Sequence, residues 1–387
     1  MEGISIKTRE IGCDQIYITG IVEQPNTDVE TSCFEMYRMV EEILTKHNLG
    51  IFHERVFGNL SFYDTIYDVR KKFRLFSEEP FTYIEGDTYW GGGVAGLQIH
   101  AVRQTDHSHK LVKIKLDNSV YGRMWQNHDT TYLSLQTIAQ RKDNNSSRYK
   151  QTATVFDRIN AILQNYNLSF NNVVRTWIYL SDILSWYDEF NQVRTEKFKE
   201  FRLVNNSLSN ENIDTIYLPA STGISGNNPF DSWSAVDVLA VNRNKNSELL
   251  IYPLTQGNQK SAFRYGSAFS RGICLKNSAY KQLLVSGTAA IDASGKSLYK
   301  DDSEAQIRTT FEIVESLIKK EGAELNDICS ATIFLKNRED IGIYRDVVKH
   351  LNLQDIPAVI VIADICRDEL LFEIDAIAVV RDEVKPV

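Results

Sequence analysis

The stretch DICRDELLFEIDAIAVV, Asp364 to Val380, sets a cysteine, an arginine and two acids close together in an apolar setting. Its second half alternates as a half-buried strand does, with Phe372, Ile374, Ala376, Ala378 and Val380 on one face. The other face carries Glu373, Asp375, Ile377 and Val379. The two carboxylates therefore point the same way, roughly 7 Å apart along the strand. Charged side chains are rarely buried without a partner, so such a pair needs an explanation. A carboxyl in apolar surroundings with a second carboxylate nearby keeps its proton toward neutral pH, which makes it a proton donor. Arg367, six residues before Glu373, is near enough in the chain to pair an anion in the same place.

The strand has two counterparts earlier in the chain, AGLQIHAVR (Ala95 to Arg103) and SAVDVLAVN (Ser234 to Asn242), which share its Ala-Val ending. Aligned on those endings, Asp375 falls opposite Asp237 and Gln98, whereas Glu373 falls opposite Ala235 and Gly96. A polar residue present in every copy reads as scaffold, a hydrogen-bonding group at a strand end or between units. A glutamate found once reads as chemistry, which need occur only once. The plain alternative for Glu373 is an exposed or ion-paired side chain.

Walking back from each terminal strand recovers the same order of elements. A short strand (IYITG, YLSLQT, LLVSGT) leads to an amphipathic helix over 31–48, 146–166 and 303–321. A strand follows in each copy (HERVFGNLSFY, VVRTWIYLSD, ICSATIFLKN), then a second helix and two closing strands. In the third copy Phe311, Val314, Glu315 and Ile318 hold the helical spacing, Glu315 being the polar exception. The order predicts an α+β fold with helices on one face of a mixed sheet, three times over. VYGRMWQN and RYGSAFSRG precede the second and third copies, and polar stretches near 105–120 and 245–262 read as boundaries. The expected units are 1–110, 120–245 and 262–387.

At 387 residues, 43% hydrophobic and 24% charged, the chain reads as soluble and globular. A net charge of −8 argues against nucleic acid as a bulk electrostatic partner. The five cysteines are scattered without a CxxC pair, as expected of reduced thiols in a cytoplasm. MEGISIKTREIGCDQ has no apolar core of a secretory signal, and no apolar run reaches the length of a membrane span. His107 and His109 form an isolated HxH without an acid cluster, so no metal is expected. EGDTYWGGGVAG precedes a strand, not a helix, and is not a phosphate loop.

LLVSGTAAIDASG, EAQIRTTFEIVESLIKKEGAELNDICSATIFLKNREDIGIY and PAVIVI resemble the RidA/YjgF family, homotrimers with clefts between protomers. That family's Pro-Ala-Arg triplet supplies an arginine for a substrate carboxylate; here it reads Pro357-Ala358-Val359. SAFRYGSAFSRG, LLVSGTAAI and ADICRDELLFEID, with VVRTWIYL, DEFNQVRTEKFKEF and LPASTGISG before them, resemble the chorismatase family more closely. Chorismatases build a RidA/YjgF-like, chorismate mutase-like pseudo-trimer within one chain. The resemblance spans residues 130 to 382, and the first unit matches only in pattern.

The resemblance implies cofactor-free cleavage of the enolpyruvyl ether of chorismate, giving pyruvate and a hydroxybenzoate or dihydroxycyclohexadiene carboxylate. Glu373 is then the acid that protonates the methylene carbon. Arg367 and Arg175 pair substrate carboxylates, although a buried structural acid is an equal alternative for Arg175. Tyr265, Ser270 and Arg271 line the cleft or serve the linker. Gly287 and Thr288 end a strand where small residues let a ligand approach the backbone. Cys366 lines the ring pocket or is a small buried hydrophobe. Two other readings share the scaffold: a RidA-like enamine or imine hydrolase with Glu373 orienting water, and a non-catalytic small-molecule binder. The expected partner is a small anion such as chorismate, with no nucleic acid or membrane, and the expected state is a monomer or weak dimer.

Overall fold

The computed structural model describes residues 3–23, 28–104, 109–204, 217–254 and 268–381. The first unit comprises β1 (Ile4–Ile11), β2 (Gln15–Val22), α1 (Val29–His47), β3 (Leu49–Gly58), α2 (Tyr63–Lys71), β4 (Thr82–Glu85) and β5 (Val94–Arg103). The second has β6 (His109–Leu116), β7 (Ser119–Asn127), β8 (Thr130–Arg141), α3 (Arg148–Asn165), β9 (Val173–Leu180), α4 (Tyr187–Glu200), β10 (Ala220–Ser225) and β11 (Ser232–Arg243). The third has β12 (Leu250–Pro253), β13 (Gly272–Lys276), β14 (Tyr280–Ala289), α5 (Ser303–Lys319), β15 (Ile328–Leu335), α6 (Ile341–His350), β16 (Ala358–Ile362) and β17 (Phe372–Arg381).

Each unit makes one mixed sheet in which the terminal strand is central: β1-β2-β5-β3-β4, β10-β9-β11-β8-β7-β6 and β12-β13-β14-β17-β15-β16. The short strands β4, β10 and β16 run parallel to β3, β9 and β15, and the other pairings are antiparallel. The long helices start alike, with Asp28, Ser147 and Asp302 accepting a backbone N–H of the first turn at the N-caps. Glu315 is exposed, and the buried stripe of α5 runs through Ile307, Phe311, Val314 and Ile318. No helix among the described residues is long and apolar enough to cross a membrane.

Each sheet covers its own helices with one face, producing three separate apolar layers. A fourth core forms where the three sheets face one another, with Phe52, Phe57, Trp177, Tyr179, Phe334, Val359 and Ile377 among its members. The sheets are thus inside and the helices outside, which is why β3, β9 and β15 are buried along their whole length. The chain is a pseudo-trimer of three α+β units of like topology.

The polar stretch read as a boundary near 105–120 contains β6 and the start of β7, both in the second sheet. Lys110, Lys113 and Lys115 mask the strand alternation because β6 is an edge, where lysines are common. Likewise β12, within the second boundary stretch, joins the third sheet.

The polar residues aligned on the terminal strands each reach into a neighbouring unit. Gln98 donates to the Ala331 carbonyl at 2.6 Å and accepts from Thr332 at 3.1 Å. Asp237 accepts from Thr82 at 2.7 Å and lies 2.9 Å from His53 Nε2. Asp375 accepts from Thr222 at 3.2 Å and lies 3.5 Å from both Arg175 and Arg55. These contacts close a ring, first unit to third, third to second and second to first. Asp375→Asn keeps the shape but leaves two buried guanidiniums facing an uncharged group. We expect it to cost about 3–5 kcal/mol of unfolding free energy, read as a lower denaturation midpoint. A midpoint equal to wild type would mean that the axis does not rely on this charge.

Candidate active site

In the sheet register, Glu373 lies opposite Ala289 of β14 and Phe334 of β15. β14 carries an irregularity between Val285 and Thr288, and Gly287 sits within it. A Cβ at Gly287 would stand 2.2 Å from Glu373 Oε1, so any other residue there would displace the carboxyl from this position. The room that the sequence reading gave to a ligand is taken by the Glu373 carboxyl. That carboxyl is 4% exposed and has no hydrogen-bond partner among the described residues. Burial, and then the neighbouring Asp375, push its pKa up to about 8, against the pull of Arg175 and Arg271. At neutral pH it is mostly a carboxylic acid.

Glu373 forms part of a cleft of about 510 Å³ between the second and third units. The third unit supplies Gly287, Ala289 and Ile291 from the end of β14, Phe269 and Arg271 before β13, and Cys366 and Arg367 before β17. The second supplies Tyr187 and Arg194 from α4, and Ser221 and Gly223 from β10. β10 is held against the third unit by a Ser221 N–H donating to Ser286 Oγ at 2.9 Å. This wall is therefore held by a backbone-to-side-chain hydrogen bond across the two units.

Three guanidiniums reach the cleft. Arg194 and Arg271 lie over the ring of Phe269, each 5.5 Å from its centre. Burial lowers the pKa of both; that of Arg271 comes down to about 10, which leaves it charged at neutral pH. Arg194 donates to Asn191 Oδ1 at 2.6 Å and approaches Ser221 Oγ at 3.5 Å, with no carboxylate partner among the described residues. Its counterpart on α2 is Arg70, seven residues after Tyr63 as Arg194 is after Tyr187. Arg70 is neutralised by Glu54 at 2.6 Å. Arg194 keeps the buried position without the acid, which leaves its charge for an anion from outside. Arg367 is anchored through Nη1 to the Gly295 carbonyl at 2.7 Å and to Ser297 Oγ at 3.2 Å.

Of the residues singled out from the sequence, Glu373, Arg367, Arg271, Gly287 and Cys366 thus share one cleft. Burial, then the nearby Glu373, push the Cys366 thiol up to about 12, so it is a neutral group. Arg175 lies behind the cleft wall, donating to Thr222 at 2.6 Å and facing Asp375, which is the structural partner that the sequence left open. Thr288 is buried and donates to the Ser286 carbonyl at 2.9 Å. Ser270 joins the units: its N–H donates to Pro219 and its carbonyl accepts from Ser286. Tyr265 lies outside the described residues, as does His107. Sequence reasoning missed Arg194, Tyr187 and Phe269. Arg194 could have been found as a charge on the buried stripe Phe190, Val193, Phe198 of α4.

A protein-family model described as Endoribonuclease L-PSP matches residues 120–212 and 260–380. Two RutC family proteins, from Pyrococcus abyssi and Pyrococcus horikoshii, are 26% and 28% identical over 98 residues. Those alignments take in 25% of this chain and 76% and 77% of the relatives. A crystal structure of a chorismatase superposes with a TM-score of 0.57 at 16% identity, over 85% of this chain and 93% of that one. At that identity the likeness is one of fold, and it extends across all three units.

The raised pKa of Glu373 makes stability depend on pH with a definite sign. The unfolded group titrates near 4.5 and the folded one near about 8. Its stabilising contribution is whole below the lower value and is lost as pH rises through the upper one. Glu373→Gln removes that loss. Melting curves should show the variant gaining on wild type between about pH 5 and about pH 9. Parallel pH dependences for the two proteins would mean that Glu373 titrates as an ordinary surface acid.

Proposed function

The chain belongs to the Endoribonuclease L-PSP family, and from that premise and the cleft geometry we propose that it cleaves the enolpyruvyl ether of chorismate. One observation carries the proposal: Glu373, buried and with its pKa pushed up to about 8, shares a cleft with Arg194, Arg271 and Arg367. Three fixed cations suit a substrate with two carboxylates, despite a chain that is negative overall. The fold shared with a chorismatase, and the motifs ADICRDELLFEID and LLVSGTAAI, support the choice of substrate.

In this reading the arginines hold the ring and enolpyruvyl carboxylates, and Phe269 keeps two of the guanidiniums in place. Glu373 gives its proton to the terminal methylene carbon of the enol ether. The resulting oxocarbenium ion is stabilised by the glutamate carboxylate left behind, and an acid with no hydrogen bond among the described residues suits the task. Water then adds to the cationic carbon, and the hemiketal collapses to pyruvate and a dihydroxycyclohexadiene carboxylate. If the ring instead loses its own hydrogen and hydroxyl, the products are pyruvate and a hydroxybenzoate with no net uptake of water. The proton released in either route restores Glu373. Cys366 acts as a neutral wall of the ring pocket, since its thiol holds its proton.

Mixing the protein with chorismate and measuring pyruvate through a coupled dehydrogenase tests this directly, with the ring product identified by chromatography. Glu373→Gln should lower kcat by about 10²–10⁴-fold while chorismate still binds. Activity of the wild type should fall on the alkaline side as Glu373 loses its proton near pH 8. Arg194→Ala should act mainly on KM, by about tenfold or more, as expected for a lost charge-assisted pair. Undiminished turnover by Glu373→Gln would remove the proposal.

A further inference from the structure

The catalytic cleft has a pseudo-symmetric twin between the first and second units. The register that sets Glu373 opposite Ala289 sets Ala235 opposite Ala139, so Thr137 corresponds to Gly287 and Arg141 to Ile291. Gly122 and Gly272 hold matching places against β8 and β14, so Tyr121 corresponds to Arg271. Tyr63 opens α2 as Tyr187 opens α4. Tyr63, Tyr121, Thr137, Ala139 and Arg141 all line one cleft of about 1480 Å³. At the counterpart of Glu373 in the first unit, Gly96, a Cβ would stand 2.3 Å from the Gly20 carbonyl oxygen and 3.1 Å from Val359, so the backbone leaves no room for an acid there.

The twin occupies the equivalent place in the fold but is larger and lacks the acid and one of the arginines at the matching positions. Ala235 replaces the acid, Tyr121 replaces Arg271, and Arg70 is neutralised by Glu54. In their place stand aromatic faces. Tyr63 stacks on Tyr67 at 5.9 Å and 22°, and on Phe81 at 6.2 Å and 12°, so three rings lie nearly parallel. Tyr67 is 38% exposed and Phe230, from the second unit, is 49% exposed. The acids of the lining are already paired, Glu79 with Arg123 and Lys113, and Asp231 with Lys142. Two cations remain. Arg158 is held by the Ala139 carbonyl at 2.8 Å, and Arg141 has no ion pair or hydrogen bond among the described residues.

We propose that this second cleft binds a planar aromatic carboxylate without transforming it. The ring stacks on the Tyr63, Tyr67 and Phe81 array, and the carboxylate meets Arg141 and Arg158. The position of Glu373 is filled by a methyl group, so the cleft has no proton donor there. The proposal rests on the lining of this cleft and not on the reaction assigned to the other one.

Benzoate and 3-hydroxybenzoate are the probes, titrated into the full chain by calorimetry and ligand-observed NMR, with cyclohexanecarboxylate as the non-planar control. Both probes should bind wild type better than the control. Tyr67→Ala and Phe230→Ala, both at exposed positions, should each weaken binding by about tenfold. Arg141→Ala should weaken it as well, whereas Arg367→Ala in the catalytic cleft should leave a binding component of wild-type strength. Probe binding that ignores Tyr67→Ala and Phe230→Ala overturns the proposal. So does binding abolished by Arg367→Ala alone, and so does failure of wild type to bind either probe. A protein inactive on chorismate but binding benzoate through Tyr67 would keep this inference and discard the catalytic one.

Discussion

Asp375 is the acid shared by two buried arginines from two other units, Arg55 and Arg175. Leaving two adjacent buried guanidiniums without this counter-charge would be costly, so Asp375 favours the closing of the first and second units on the third. The same strand carries Glu373 two residues earlier, with its side chain on the same face. Fixing Asp375 therefore fixes where Glu373 stands. It also sets part of its chemistry, because the negative charge of Asp375 adds to burial in holding the glutamate proton. Scaffold and acid are one strand, and neither can be moved alone.

The legible part of this arrangement follows from short periods. Alternation over the terminal strand puts both acids on one face, and comparison of copies separates them, since only Asp375 has polar counterparts. The three-unit α+β order was legible for the same reason, because each helix and strand repeats its own pattern. Arg194 falls on the apolar stripe of Phe190, Val193 and Phe198, but the many other charges of α4 obscure that stripe. The partner of Arg175 was hidden because it lies in another unit, about 200 residues away in sequence, where no local pattern reaches. β6 was hidden because edge strands carry lysines in place of the apolar alternation that marks central ones.

Gly287 shows how a site residue can be recognised while its neighbour is mistaken. A small residue at a strand end signals that something approaches the backbone closely. The pattern cannot say whether that is a ligand or a side chain from the next strand. Here the Glu373 carboxyl comes within van der Waals reach of the missing Cβ, so the glycine positions the acid and the ligand is left to the cleft beyond.

Joining three units in one chain permits what three identical chains could not have. In a symmetric trimer the position of Asp375 would hold three identical groups around the axis: three carboxylates would repel one another, and three glutamines would carry no charge. In this chain the position holds Gln98, Asp237 and Asp375, and each meets a different complement: a carbonyl and a hydroxyl, a histidine, and a pair of arginines. The axis is thereby neutralised unevenly. The clefts differ as well: one has Arg194 with no carboxylate partner among the described residues, another ties its equivalent Arg70 to Glu54, and in the first unit a side chain at Gly96 would meet the Gly20 carbonyl. Joining the units thus lets both the axis and the clefts carry different side chains from one unit to the next, which identical chains could not do.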